Sequence, residues 1–193
     1  MDYKSMIAGY KEDKGYSAGD EWVMREISRT HGHLLMCFKP STGANTDTLD
    51  EVYALQRFAD IQCEHAPWLL DVSTDAVKPG THDEEIVGGY VVFLLMTKLP
   101  GTRIIYNHYW QLSLAERDEI RREFKKALLA VWDCGIYPQD SAPRNVIWDS
   151  QNRKCFIVDF EAIEHEGNSK RPEWTDKQFE YWKLAENRFL GFI

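Results

Sequence analysis

The sequence predicts an α+β fold made of two small lobes on one chain: a small antiparallel sheet lobe with one helix, then a shortened helical lobe that carries a hairpin. Three observations predict it. Short apolar runs and one helical period fill the first half. A Pro–Gly break, Thr97-Lys98-Leu99-Pro100-Gly101, interrupts regular structure midway. A long amphipathic stretch over residues 113–134 then opens the second half. The expected division is residues 1–98 as a β-rich lobe and residues 99–193 as a helical lobe.

In chain order, residues 34–39 (LLMCFK) form an apolar run closed by Pro40, a strand signal. Residues 48–61 have a helical period, with Leu49, Val52, Tyr53, Gln56 and Ala59 on one face and Leu55 and Phe58 on a neighbouring one. Residues 69–72 read as a strand, 79–85 as a polar turn, and 86–96 as a long buried strand. In the second half, Ser113 and Glu116 form a capping box, and Ile120, Phe124, Ala127, Leu128 and Val131 recur at helical spacing. Gly135 suits a left-handed cap. Two apolar runs, 146–148 and 155–158, flank the polar turn 149–153 and predict a hairpin. Thr175 and Gln178 mark the start of a last helix with Phe179, Trp182 and Phe189 on one side.

Composition narrows the function classes. A hydrophobic share of 44%, with seven Trp, nine Tyr and nine Phe, is ample for a packed core and argues against disorder. A net charge of −8 opposes nonspecific attraction to nucleic acid or anionic lipid, so neither is an expected partner. Cys37, Cys63, Cys134 and Cys155 lie in apolar neighbourhoods without metal-ligand spacing and read as buried small hydrophobes. No apolar run reaches membrane-spanning length, and a cytoplasmic setting is expected. Trp174, Tyr181 and Trp182 read as exposed aromatics on which a homodimer would form.

The chemistry concentrates in residues 135–161. Asn145 follows Asp140 by five residues, and Asp159 follows Asn145 by fourteen. The open end of the hairpin between them would hold Asn145 and Asp159 together. A carbonyl oxygen and a carboxylate make an oxygen-donor pair suited to Mg²⁺. Asp140-x-x-x-x-Asn145, a hairpin, and Asp159-Phe160-Glu161 in that order resemble the catalytic loop and metal motif of the kinase-like superfamily. The segment is closer to the aminoglycoside-phosphotransferase and choline-kinase branch, and to small fungal kinase-like proteins with a D-x-x-P-R-N loop and D-F-E. Glu161 stands where protein kinases have glycine, and Pro138-Gln139 where they have His-Arg. The resemblance spans roughly residues 34–165.

That resemblance implies a bilobal protein-kinase-like fold and an ATP- and Mg²⁺-dependent phosphotransferase acting on a hydroxyl of a small molecule. It implies Asp140 as catalytic base and Asn145 and Asp159 as metal ligands. Lys39 would be the strand lysine on the phosphates, paired with Glu51, and the backbone around Leu94, Met96 and Leu99 would take adenine. Glu51 has a second reading, as the far end of a Thr48-x-x-Glu51 capping box. Arg144 reads as a surface cation paired with an acid, or as a group that steadies the loop or the phosphates. A small acceptor is expected because no A-P-E motif follows and the thirty-two residues after Glu161 leave no room for a peptide-docking lobe. The net negative charge does not oppose ATP, since local donors and Mg²⁺ hold phosphate on acidic proteins. Two other readings stay open. One is a kinase-shaped binding or scaffold protein without phosphotransfer, supported by the missing Gly-rich loop and the altered residues before Asp140. The other is a cleft reused for a different ligand.

Overall fold

The computed structural model describes residues 36–38, 46–76 and 90–186. In chain order these form β1 (Met36–Phe38), α1 (Thr46–Ile61), β2 (Leu69–Ala76), β3 (Tyr90–Met96), β4 (Thr102–Arg103), α2 (Tyr106–Gln111) and α3 (Leu114–Asp133). There follow β5 (Ile136–Pro138), a 3-10 turn (Pro143–Asn145), β6 (Val146–Asp149), β7 (Lys154–Ile157), β8 (Ile163–His165) and α4 (Lys177–Tyr181). Among the described residues this is a mixed α+β structure with small antiparallel sheets and four α-helices. None of these helices is long and apolar enough to cross a membrane.

The first sheet has the order β1-β3-β2. Its middle strand, YVVFLLM, is nearly continuous in apolar residues, as a strand covered by neighbours requires. Val92 and Leu94 meet Leu55 of α1 in a small core, with Val52, Leu69 and Met96 packed around it. The strand expected over residues 69–72 runs on to Ala76. Of the strand expected over 86–96, residues 86–89 lie outside the described residues, as do the 79–85 turn and residues 34, 35 and 39 of the 34–39 run.

Helix α1 buries the Leu55–Phe58 face of the two that its apolar period suggests, not the Leu49–Tyr53 face. Leu49 is 57% exposed and Tyr53 43%, whereas Thr48, Glu51, Leu55 and Phe58 are buried. These sit at i, i+3, i+7 and i+10, so they share one face. The polar Thr48 and Glu51 disguise that face in the sequence. Ala54 and Phe58 continue into the main core, beside Ile120, Phe124, Leu128 and Val131 of α3.

Helix α3 forms as its sequence predicts. Ser113 Oγ accepts the Glu116 N–H at 3.2 Å, and Glu116 Oε2 accepts the Ser113 N–H at 3.0 Å. Gly135 then turns left-handed at φ +78°, and its N–H donates to Trp132 O at 2.9 Å. The hairpin β6–β7 is also in place, with Asp149 accepting the backbone N–H groups of Gln151 and Asn152 in its turn.

Three elements depart from expectation. The Pro–Gly break does not end in irregular chain, because β4 pairs with β6 as a third strand. β5 and β8, not read from the sequence, form a ribbon with Tyr137 opposite Glu164. The last helix covers five residues, and Phe189 lies outside the described residues. Its Trp182 is 1% exposed, with its ring 5.1 Å from that of Phe124, so it belongs to the core and not to an exposed dimer face. Trp174 likewise packs on Phe124 and Trp132, which leaves Tyr181 as the exposed ring of the three.

Cys63, Cys134 and Cys155 are buried free thiols, as expected of small hydrophobes. His65 fastens the turn after α1 to the hairpin. Its Nδ1–H donates to Cys155 O at 2.8 Å and its carbonyl accepts the Ile157 N–H. Burial pulls the His65 pKa below its usual range, against the Cys155 carbonyl, which favours the charged ring.

Two predictions follow from this packing. Gly101 has φ +101°, and a Cβ there would sit 2.4 Å from the Trp148 carbonyl oxygen. At Gly135 the same atom would meet only the flexible carboxyl end of Glu166, at 2.8 Å. In urea unfolding, Gly135→Ala should lose about 1 kcal/mol for the left-handed backbone, and Gly101→Ala clearly more. The neutral ring of His65 is the form the fold prefers. Its contribution is therefore present above the unfolded histidine pKa and is lost as pH falls through the depressed folded value. Melting temperatures should show a fall on acidification through this range that His65→Gln reduces.

Candidate functional site

Two ribbons hold residues 139–145 against residues 158–162. At one end Val146 pairs with Ile157, and the ladder is extended by the Val158 N–H donating to Asn145 O at 2.9 Å. At the other end Pro138 pairs with Ile163, and the Gln139 N–H donates to Ala162 O at 2.9 Å. The Asp140 loop and the Asp159-Phe160-Glu161 segment are thus side by side and tied down twice. The hairpin end was legible from the sequence; the β5–β8 end was not.

Asn145 is the fully buried centre of this arrangement. Its Nδ2 donates to the backbone oxygen of Asp140 at 3.1 Å and to Asp140 Oδ2 at 3.0 Å. Its Oδ1 is buried and has no partner among the described residues. Asp140 Oδ2 also accepts Arg144 Nη2 at 2.6 Å, and both side chains are substantially exposed. Arg144 is therefore a surface cation paired with an acid, and that acid is the candidate base.

Asp159 has φ +72°, in the left-handed region that costs a non-glycine residue energy and recurs at functional sites. Its carboxylate accepts the Glu161 backbone N–H. Burial holds its pKa above the usual carboxylate range, and the charge of Asp140 adds to this; Arg103 and Arg144 pull the other way.

Glu51 reaches the same segment from α1. Its carboxylate accepts the Phe160 N–H, and the Phe58 and Phe160 rings lie 4.7 Å apart. Burial raises the Glu51 pKa to about 8; the Phe160 N–H opposes the rise, and the charges of Asp159 and Glu161 add to it. The capping-box reading of Glu51 is corrected. α1 is already helical at Thr46, so Thr48 lies inside the helix and cannot be its N-cap. Lys39, and with it the Lys39–Glu51 pair, lies outside the described residues.

The residues expected around adenine are on β3 and just after it. Leu94 is buried under Leu55, Met96 packs on the same cluster, and Leu99 is half-buried beyond the strand. Between them, the Thr97 N–H donates to Trp68 O at 3.0 Å and Thr97 Oγ1 accepts the Trp68 N–H at 2.8 Å. That backbone donor is therefore already used.

The sequence reading missed Arg103. It lies on β4, opposite Ile147 and against the 3-10 turn that carries Asn145. A cation two residues beyond the Pro–Gly break was the only signal. A cavity of about 310 Å³ also lies next to the Asp140 loop. Gln139 and Ser141, on either side of Asp140, line it together with Trp132, Tyr137, Glu164 and Tyr181. Among the described residues, no group of three or more His, Cys, Asp or Glu side chains is arranged to hold a metal. The oxygen donors in this site are one amide and two carboxylates, Asn145, Asp140 and Asp159.

The buried Glu51–Phe160 contact makes a separable prediction. Glu51→Leu leaves the Phe160 N–H without an acceptor and should cost about 1–3 kcal/mol in urea unfolding. Glu51→Gln keeps an acceptor oxygen and resembles the neutral acid that burial favours at Glu51, so it should lose less. Equal losses would show that the hydrogen bond is not what holds α1 to this segment.

Comparison of the chain with protein-family models gave no match, and comparison with curated proteins gave none either.

Proposed function

We propose that the chain is a kinase-like phosphotransferase, dependent on ATP and Mg²⁺, that phosphorylates a hydroxyl of a small molecule. The observation that carries this reading is the buried, unpartnered Oδ1 of Asn145 in the loop held against Asp159. A buried acceptor without a partner costs about 1–3 kcal/mol, so its retention calls for a ligand. An amide oxygen and a carboxylate fit Mg²⁺, which keeps several waters and takes its remaining ligands from phosphate.

Each residue then has a task. Asn145 and Asp159 hold the ion, which supplies neutralisation of phosphate charge. Asp140 orients the acceptor hydroxyl and takes its proton as the oxygen bonds to the terminal phosphorus. The bond from that phosphorus to the bridging oxygen breaks, and ADP departs with the electron pair. Arg144 and Asn145 fix the Asp140 carboxylate for this role. The cavity beside Gln139 and Ser141 suits a small acceptor. A two-lobed kinase-like arrangement is part of the same proposal. Motif order supports it, as does a helix glutamate bonded to the Asp-Phe-Glu backbone. A cytoplasmic setting agrees with three buried free thiols and with an ATP supply.

One observation favours the rival binding-protein reading: Asp140 Oδ2 already accepts two hydrogen bonds, from Arg144 and Asn145. Thermal shift with ATP, with and without Mg²⁺, separates the two. The enzyme reading expects Mg²⁺-dependent stabilisation of about 2.7 kcal/mol at 100 times the dissociation constant, with that dependence lost in Asp159→Asn. Asp140→Ala should keep nucleotide binding and lower ATP consumption, over a panel of polar alcohols, by about 10²–10⁴-fold. Nucleotide binding with no turnover on any alcohol would favour the binding protein, and no response to MgATP would sink the reading.

A further inference from the structure

Arg103 differs from the other arginines whose contacts are described. Arg57, Arg121, Arg144, Arg153 and Arg171 each hold a carboxylate. Arg117 stacks on Trp110 at 5.0 Å. Arg117 Nε is also buried without an acceptor, but in Arg103 both Nε and Nη2 are buried and neither reaches an acceptor among the described residues. Burying charged N–H donors without partners is among the costlier things a fold does. An exposed arginine on a two-residue strand would avoid that cost entirely.

The position of Arg103 suggests what the cost serves. Its strand is fixed by the pairs Thr102↔Trp148 and Arg103↔Ile147, and the next residue, Ile104, donates its N–H to Val146 O at 2.9 Å. Arg103 is therefore held at the open end of the hairpin, against the turn that ends in Asn145. The charges that act on it are Asp159, favourably, and Arg144, unfavourably. One buried acceptor, Asn145 Oδ1, and two buried donors of Arg103 are thus left without partners among the described residues, on a turn and a strand that lie against each other. An anion carrying a divalent cation satisfies both at once: the cation takes the amide oxygen and the anion takes the N–H groups.

We propose that Arg103 is the phosphate-anchoring cation of this site, its Nε–Nη2 edge gripping two oxygens of a Mg²⁺-bound nucleoside polyphosphate. This rests on the phosphotransferase reading and assigns to the chain's own β4 the role left to a lysine in the sequence. The Nε–Nη2 edge is a planar pair of parallel donors, which matches two oxygens of one phosphate. Held in a partly dry site, such a contact is worth more than the same contact in water.

The test is calorimetry of MgATP and of Mg²⁺-tripolyphosphate, on the full chain and on Arg103→Met, Arg103→Lys and Asp159→Asn, with the melting temperature of each unliganded protein. Arg103→Met should weaken both ligands at least ten-fold. Its unliganded melting temperature should equal or exceed that of the unmodified chain, because an unpaired buried cation has been removed. Arg103→Lys should fall between, since an ammonium keeps the charge and loses the fork. Binding unchanged in Arg103→Met, with Mg²⁺ dependence lost in Asp159→Asn, overturns the role of Arg103 and leaves the phosphotransferase reading standing. A lowered unliganded melting temperature in both Arg103 variants makes the residue structural and overturns the inference. If the unmodified chain binds neither ligand, both readings fall together.

Discussion

The buried amide of Asn145 is the point on which the candidate site depends. Its backbone oxygen takes the Val158 N–H, its own N–H closes the turn onto Ala142, and its Nδ2 holds Asp140 by two oxygens. The Asp140 loop and the strand end at Val158 thus meet at one residue that is fully out of solvent. Moving it by one residue would turn the amide to the other face of β6 and release Asp140. The spacing of five between Asp140 and Asn145 is thus a geometric requirement of a single 3-10 turn between a strand end and a hairpin.

Much of this was legible because the signals were local. The Ser113–Glu116 box, the apolar period of α3, the turn at Gly135 and the hairpin around Asp149 are each set within a few residues, and each appears as read. The pairing of Asn145 with the Asp159 segment was legible for the same reason, since a hairpin aligns its own open ends. What was hidden depends on distant partners. β8 has meaning only against β5, across the whole loop between them, and a three-residue strand carries no period. β4 is two residues long and was masked by the Pro–Gly break before it. On α1 the apolar period offered both Leu49–Tyr53 and Leu55–Phe58, and burial chose the second face and extended it through Thr48 and Glu51. A buried glutamate is invisible to hydrophobic patterning, because its partner, the Phe160 N–H, lies 109 positions away.

Four unusual polar features lie in the candidate site or against it. Glu51 hydrogen-bonds Phe160, Asn145 keeps an idle oxygen, Arg103 keeps two idle donors, and Asp159 adopts a left-handed backbone. Where α3 meets Trp174, Phe179 and Trp182 the packing is aromatic.

Helix α1 has a face in each of the two apolar clusters. Leu55 sits with Val92 and Leu94 of the first sheet, and Ala54 and Phe58 sit in the larger core. Two further ties, from Arg57 to the Cys134 carbonyl and to Glu166, bind its outer end to the close of α3. A close-packed rod gripped on both sides cannot slide on one partner without straining the other. The helix is therefore a crankshaft: any tilt of the sheet arrives as a torque on the peptide of Phe160, one residue from Asp159.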